Sequence, residues 1–250
     1  MALLVGVVAA VSWLAALQTP RATTPDVPAT SATDPAPDSR AVQSPKAEPQ
    51  PTNSDSEPES ERERSRNADL VREITDGPVS TGDFVAGYDR ALFGQTWADV
   101  DRNGCDTRND ILRRDLTEVV IKQGTFGCKV LAGRLDDPYS GLTIAFVSGE
   151  TTSIEVQIDH VVPLAWAWQN GASRWTVDQR TRFANDPANL LAVDGRLNQE
   201  KSASGPASWL PPDKSYHCEY MQSFATVVID YRLSLPGDDR NALVSNLSNC

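Results

Sequence analysis

Histidine is scarce in this sequence of 250 residues: His160 and His217 are the only two. No two cysteines stand in a C-x-x-C spacing, and basic residues number 23 against 34 acidic ones. Each shortage removes a class of function. Cys105, Cys128, Cys218 and Cys250, even in number and without the paired spacing of a zinc site, point to two disulfides. The negative balance excludes a protein that holds nucleic acid by electrostatics alone, because such a surface has to be basic. From residue 67 onward the deficit persists, with 17 basic and 25 acidic residues. Any contact with a polyanion therefore needs a local basic patch, a metal ion, or both.

Basic residues are also missing ahead of the apolar run at 2–17. That run has the length of a signal-peptide core and is short for a spanning helix. No clear small-x-small cleavage site follows it, so residues 1–18 read as a signal peptide or an N-terminal membrane anchor, and either implies a secreted or cell-surface protein. Large apolar residues are nearly absent from 19–66, a Pro/Ser/Thr/acidic stretch that cannot bury enough surface to offset its ordering entropy; it is expected to be a disordered linker. Residues 67–250 have the size of one domain and hold all four cysteines and five of the six tryptophans. Of the three possible disulfide pairings, proximity favours Cys105–Cys128 and Cys218–Cys250, the second tying the C-terminus back to the domain.

The pattern within 67–250 predicts an α+β domain. "NADLVREI" and "STGDFVAGYDRALFG" read as helical pieces, the latter capped by Thr81 or Asp83, and "CDTRNDILRRDL" as a helix from Thr107 to Leu116. "TEVVIK", "CKVLAGRL" and "LTIAFV" read as strands, with "DPYSG" as a turn. "TTSIEVQID" alternates as a half-buried strand does, which puts Asp159 on the polar face at its end. Two helices follow in "LAWAWQNG" and "TVDQRTRFAND", then a short strand "ANLLAV", a tight "DG" turn and a helix "RLNQEKSAS". Helical spacing from Ser215 to Leu233 and a last helix before Cys250 complete the chain. Trp166, Trp168, Trp175 and Trp209 suit core packing, and His217 a surface or capping position.

One group of residue types carries chemistry: Asp159-His160 at a strand end, Asn189, and Asn198 with Lys201 three residues later on one helix face. Phosphodiester hydrolysis needs a base to activate water, a hard cation to neutralise developing charge, and a group to hold the base in its useful tautomer. Histidine suits the base, Asp and Asn oxygens suit magnesium or manganese, and an asparagine amide can orient an imidazole. Lys201 is placed to face a phosphate. Asp106, Arg108 and Asn109 read either as a helix cap with a structural ion pair or, for Arg108, as a grip on substrate.

"IDHVVPLAWAW…ANLLAVDGRLNQEKSA" resembles the HNH (ββα-metal) nucleases. With "CDTRNDIL", "DPYSG", "FANDPANLLAV" and "WLPP" it is similar to secreted actinobacterial HNH-family proteins that share a domain with the C-terminal region of GmrSD-type restriction enzymes. The resemblance spans roughly Asp83 to Cys250. It implies an endonuclease whose site is a ββα finger, with His160 as general base, Asp159 as a metal ligand and Asn189 orienting the base. Asn198 stands at a position that is often a metal-ligating histidine in relatives, and is matched to that ligand role. The all-oxygen set that results implies Mg²⁺ or Mn²⁺ rather than zinc. The expected partner is nucleic acid, DNA ahead of RNA. The alternative is a non-catalytic extracellular module that keeps the fold and binds a partner or the cell wall.

Overall fold

An 18-residue helix, α1 (Glu59–Asp76), opens the part of the chain described in the computed structural model, residues 58–250. The apolar N-terminal run and the linker up to residue 57 lie outside the described residues. α1 begins eight residues before the expected end of the linker. Its first turns, "ESERERSR", contain no apolar residue, so no core-facing pattern announces them. They extend a helix anchored further along by Leu70, Val71 and Ile74, and Glu59 and Glu61 complement the positive end of its dipole.

Little of the expected helix in "STGDFVAGYDRALFG" forms. Only Arg90–Phe93 makes a 3-10 turn, and its cap is Asp89, which accepts the Ala91 amide at 2.9 Å, in place of Thr81 or Asp83. Helix α2 (Thr107–Asp115) follows as the sequence indicates, capped by Asp106 on the Asn109 amide at 2.8 Å. Strands β1 (Thr117–Ile121), β2 (Val130–Asp136) and β3 (Thr143–Val147) form an antiparallel sheet in that order. A second, two-stranded antiparallel sheet pairs β4 (Val156–His160) with β5 (Leu190–Asp194).

Between β4 and β5 the chain makes α3 (Leu164–Gln169) and α4 (Val177–Ala184), the latter opened by a reciprocal capping box of Thr176 and Gln179. After β5 come α5 (Gly195–Lys201), α6 (His217–Asp230) and α7 (Gly237–Leu247). Both favoured disulfides are present: Cys105–Cys128 ties the α2 entrance to β2, and Cys218–Cys250 ties α6 to the chain end. Among the described residues no helix is long and apolar enough to cross a membrane.

Two hydrophobic clusters hold these elements. Ile111 and Leu112 of α2 pack with Val130, Leu135 and Phe146 of the three-stranded sheet and with Val156, Ile158, Leu190 and Ala192 of the β4–β5 pair. The larger cluster joins α1, α3, α6 and α7 and takes in Tyr139, Val161, Val162, Trp166, Trp168 and Phe183, with Trp175 and Trp209 at its edge. The tryptophans are packing residues, as their spacing suggests. β4 enters from the first cluster and leaves into the second, which puts Asp159 and His160 at the junction.

Candidate functional site

The register of β4 against β5 sets Asp159 opposite Leu191 and His160 opposite Leu190. No hairpin turn separates β5 from α5. Asp194 ends the strand and caps the helix by accepting the Leu197 amide at 2.8 Å, and Gly195 is already helical. Glycine is required there, because a Cβ at 195 would lie 1.9 Å from the Ile154 carbonyl oxygen. The expected alternation in β4 also breaks down. Ile158, Asp159 and His160 are all buried, since the strand is covered on both faces where it passes between the two clusters.

Asp159 is 5 % exposed and does not face open solvent. Its Oδ2 accepts from the Lys201 ammonium at 2.8 Å and from the Tyr139 hydroxyl at 2.7 Å. Lys201 is fully buried and also donates to the His160 carbonyl at 2.8 Å. It therefore does not reach a phosphate, contrary to the expectation from its position in the sequence. Its helix face turns inward, and the ammonium serves as counter-ion to Asp159. Burial lowers the Lys201 pKa and the contact with Asp159 opposes that fall; burial, then the Asp159 charge, hold the Tyr139 hydroxyl well above its usual value. Tyr139 comes from "DPYSG", which is more than a turn: Asp137 accepts the Ser140 amide and the Asp194 amide, tying that segment to the end of β5.

His160, 6 % exposed, places Nε2 at 2.9 Å from the Ala184 carbonyl oxygen. A carbonyl only accepts, so Nε2 carries the proton and the lone pair is on Nδ1. Burial holds the imidazole pKa down to about 4, which keeps it neutral at physiological pH. Ala184 is the last residue of α4, so the histidine meets the negative end of a helix dipole. The neighbouring Asn185 accepts the Ala98 amide at 2.9 Å and donates to the Gln95 carbonyl at 3.2 Å. This clamp sets the indole of Trp97 nearly parallel to His160, at 12° and 6.5 Å between centroids. Trp97 takes a left-handed φ of 58°, an uncommon conformation for a bulky residue, to reach that place.

Asn189 makes no hydrogen bond to the imidazole. Fully buried, it accepts the Val162 amide at 2.8 Å and donates to the Val162 carbonyl at 3.2 Å, while its own carbonyl accepts the Val161 amide at 2.9 Å. It fixes the backbone after His160, so its orienting action passes through the chain. The direct orienter is the Ala184 carbonyl, which no side-chain pattern could reveal.

Asp159, His160 and Asn198 line one cavity of about 540 Å³. Asn198 donates Nδ2 to Gln157 Oε1 at 2.9 Å, which leaves its oxygen unengaged among the described residues. Trp97, Arg108 and Arg90 line the same cavity. Arg108 lies 6.0 Å from the Trp97 ring and donates to the Val156 carbonyl at 3.4 Å; it lines the cavity, and the Asp106 charge acts on it without a direct ion pair. Arg90 was not singled out by the sequence; it makes no ion pair among the described residues. No three His, Cys, Asp or Glu side chains of the described residues gather into a metal site. The oxygens available to a cation are Asp159 Oδ1, since Lys201 and Tyr139 occupy Oδ2, and the side-chain oxygen of Asn198. This sparse, hard set fits a largely hydrated magnesium ion better than a zinc ion. His217 stands elsewhere, bonded to the Pro211 carbonyl at 2.8 Å.

The chain is 40 % identical over 166 residues to a protein of Arthroderma benhamiae named an uncharacterized secreted protein, a match covering 66 % of this chain and 76 % of that relative. No solved structure matches. The family model described as GmrSD restriction endonucleases, C-terminal domain, matches residues 106–235, just over half of the chain and the segment that contains Asp159, His160, Asn189, Asn198 and Lys201. By this match the chain belongs to the family of the GmrSD restriction endonuclease C-terminal domain.

Proposed function

We propose that this protein is a secreted or surface-held, metal-dependent endonuclease of HNH type, with β4, β5 and α5 as its ββα-metal finger. The observation that carries the reading is a neutral histidine, locked in one tautomer, opening on a cavity that is also lined by a carboxylate, an amide and two arginines. His160 Nδ1 takes the proton from the attacking water. The imidazolium that forms is favoured by the Ala184 carbonyl and the end of α4 behind it. Asp159 and Asn198 would hold Mg²⁺ or Mn²⁺, which when bound supplies charge neutralisation at the scissile phosphate and its leaving oxygen. Lys201 and Tyr139 fix the Asp159 carboxylate, and Asn189 fixes the strand end that carries the base. Arg108 and Arg90 face the phosphate and give this acidic domain its local cationic patch. DNA is the substrate the family points to, and the disulfides and the secreted relative support an extracellular location.

The test is incubation of the full chain, disulfides intact, with supercoiled plasmid and with RNA in Mg²⁺, Mn²⁺ and EDTA, beside His160→Ala. Cleavage that needs the metal and falls by at least about a hundredfold in the variant is expected, since general base catalysis contributes about 10²–10⁴. A folded chain that leaves every substrate intact would make it a binding module, and a variant that cuts as well as the parent would remove His160 from the chemistry.

A further inference from the structure

A second chamber of about 890 Å³ opens off the catalytic cavity and shares Tyr88, Ala165, Ser202 and Ala203 with it, so the two form one continuous groove. The halves differ in charge. Both arginines are in the catalytic half, whereas the chamber is lined by no cation and by two carboxylates, Asp83 and Asp239. A second phosphate would be repelled there. What fills the chamber is uncharged or carries hydrogen-bond donors.

Asp239 is a built acceptor. It is 6 % exposed, accepts the Trp166 indole at Oδ2 and the Ala207 amide at Oδ1, both at 2.9 Å, and has no cation paired with it among the described residues. Each oxygen keeps a further lone pair. A Cβ at position 205 would come within 2.3 Å of its Oδ2, so only glycine there leaves room for the carboxylate. The side-chain oxygen of Asn170 adds a second acceptor, while one of its two amide hydrogens goes to the Trp166 carbonyl.

The same chamber carries an aromatic platform. Phe84 is 84 % exposed and Tyr88 39 %, an unfavourable display for a phenylalanine with no ring partner among the described residues. The backbone that follows it is nonetheless held: Gln169 accepts the Val85 amide at 2.8 Å and donates to the Val85 carbonyl at 3.0 Å, and Trp168 donates to the Ala86 carbonyl at 3.3 Å.

Fixed acceptors, a held aromatic face and no cation, one step from a cationic phosphate site, together select a planar neutral group bearing N–H donors. We infer that the chamber is a nucleobase subsite, that it favours bases with an exocyclic amino group over thymine or uracil, and that the strand enters unpaired. A base still in a duplex cannot offer its face to Phe84 and its amino edge to Asp239 together. This inference rests on the nuclease reading for its phosphate end, and its own evidence lies in the chamber.

The experiment has two arms. In EDTA, the full chain is titrated with dCMP, dTMP and deoxyribose 5-phosphate, read by tryptophan fluorescence, since Trp166 is bonded to Asp239. Binding of dCMP about tenfold tighter than dTMP, with Asp239→Asn erasing the preference and Phe84→Ala weakening both nucleotides about tenfold, is expected. Phe84 is exposed, so its variant folds. Equal binding of dCMP and dTMP, deoxyribose 5-phosphate binding as tightly as dCMP, or Phe84→Ala matching the parent would each overturn the subsite. In Mg²⁺, single-stranded DNA should be cut at least tenfold faster than the same sequence as duplex, with Phe84→Ala removing the difference. Base-selective binding without any cleavage would fail the nuclease and keep the subsite; cleavage without base selectivity would do the reverse.

Discussion

Replacing Lys201 by methionine separates a solvated phosphate-facing lysine from a buried counter-ion. The ammonium is fully buried, 2.8 Å from Asp159 Oδ2 and 2.8 Å from the His160 carbonyl, and the Asp159 side chain is 6 % exposed. Removing one partner of such a pair leaves an uncompensated charge in a dry site, a loss of about 3–5 kcal/mol. Methionine keeps most of the stem volume, so little of the loss comes from a cavity. The Tyr139 hydroxyl still donates to Oδ2, which puts the expectation near the lower end, about 3 kcal/mol. An exposed lysine would cost less than about 0.5 kcal/mol. The assay is urea unfolding of the full chain at pH 7 in EDTA, with disulfides intact. Asp159→Asn and the double variant complete a cycle, in which neutralising the carboxylate should recover at least half of the loss. A Lys201→Met protein within about 1 kcal/mol of the parent, or a double variant no more stable than Lys201→Met, would refute the counter-ion assignment.

The histidine and the disulfides yield two further expectations. With the His160 pKa lowered from 6.5 to about 4, the unfolded chain binds a proton between those pH values that the folded chain does not. The resulting stability is whole above pH 6.5 and is lost as pH falls towards 4, in all about 3 kcal/mol at about 1.4 kcal/mol per pH unit. In metal-free protein the difference between the parent and His160→Gln should narrow by that amount from pH 7 to pH 4, and parallel curves would show that the imidazole is not buried neutral. The disulfides close separations of 23 and 32 residues. Replacing either pair by serines should cost about 3.5 kcal/mol by loop-closure entropy, read as a fall in the urea midpoint, and a cost under about 1 kcal/mol would refute that account.

The strands and most helices were legible because their signals are local: β-branched and apolar runs between turn residues in β1 to β3, capping residues before α2 and α4, and apolar spacing along α6. So was the gathering of Asp159, His160 and Asn198, whose placement follows from the β4–β5–α5 unit. What was not legible depends on which face becomes covered. Lys201 looks like a surface lysine until β4 is known to be buried on both sides. Tyr139 stands in a segment with every mark of a plain turn, and only the fold carries its hydroxyl to Asp159. The helical reading of "STGDFVAGYDRALFG" failed where its backbone is drawn out against Gln169 and Trp168 instead of bonding to itself.

The proposed base takes its tautomer from a main-chain oxygen 24 residues away at the end of α4. Every residue type carries that oxygen, so the bond to the histidine sets no requirement of its own on the side chain at 184; the packing of Ala184 against the larger cluster does. Chain length in that segment has no such freedom. Each residue added to or removed from α4 turns its last carbonyl by about 100° around the helix axis, swinging the oxygen away from Nε2. Selection on this oxygen would therefore be recorded as intolerance to insertion and deletion between Thr176 and Asn185, in addition to whatever packing demands of side chains such as Phe183.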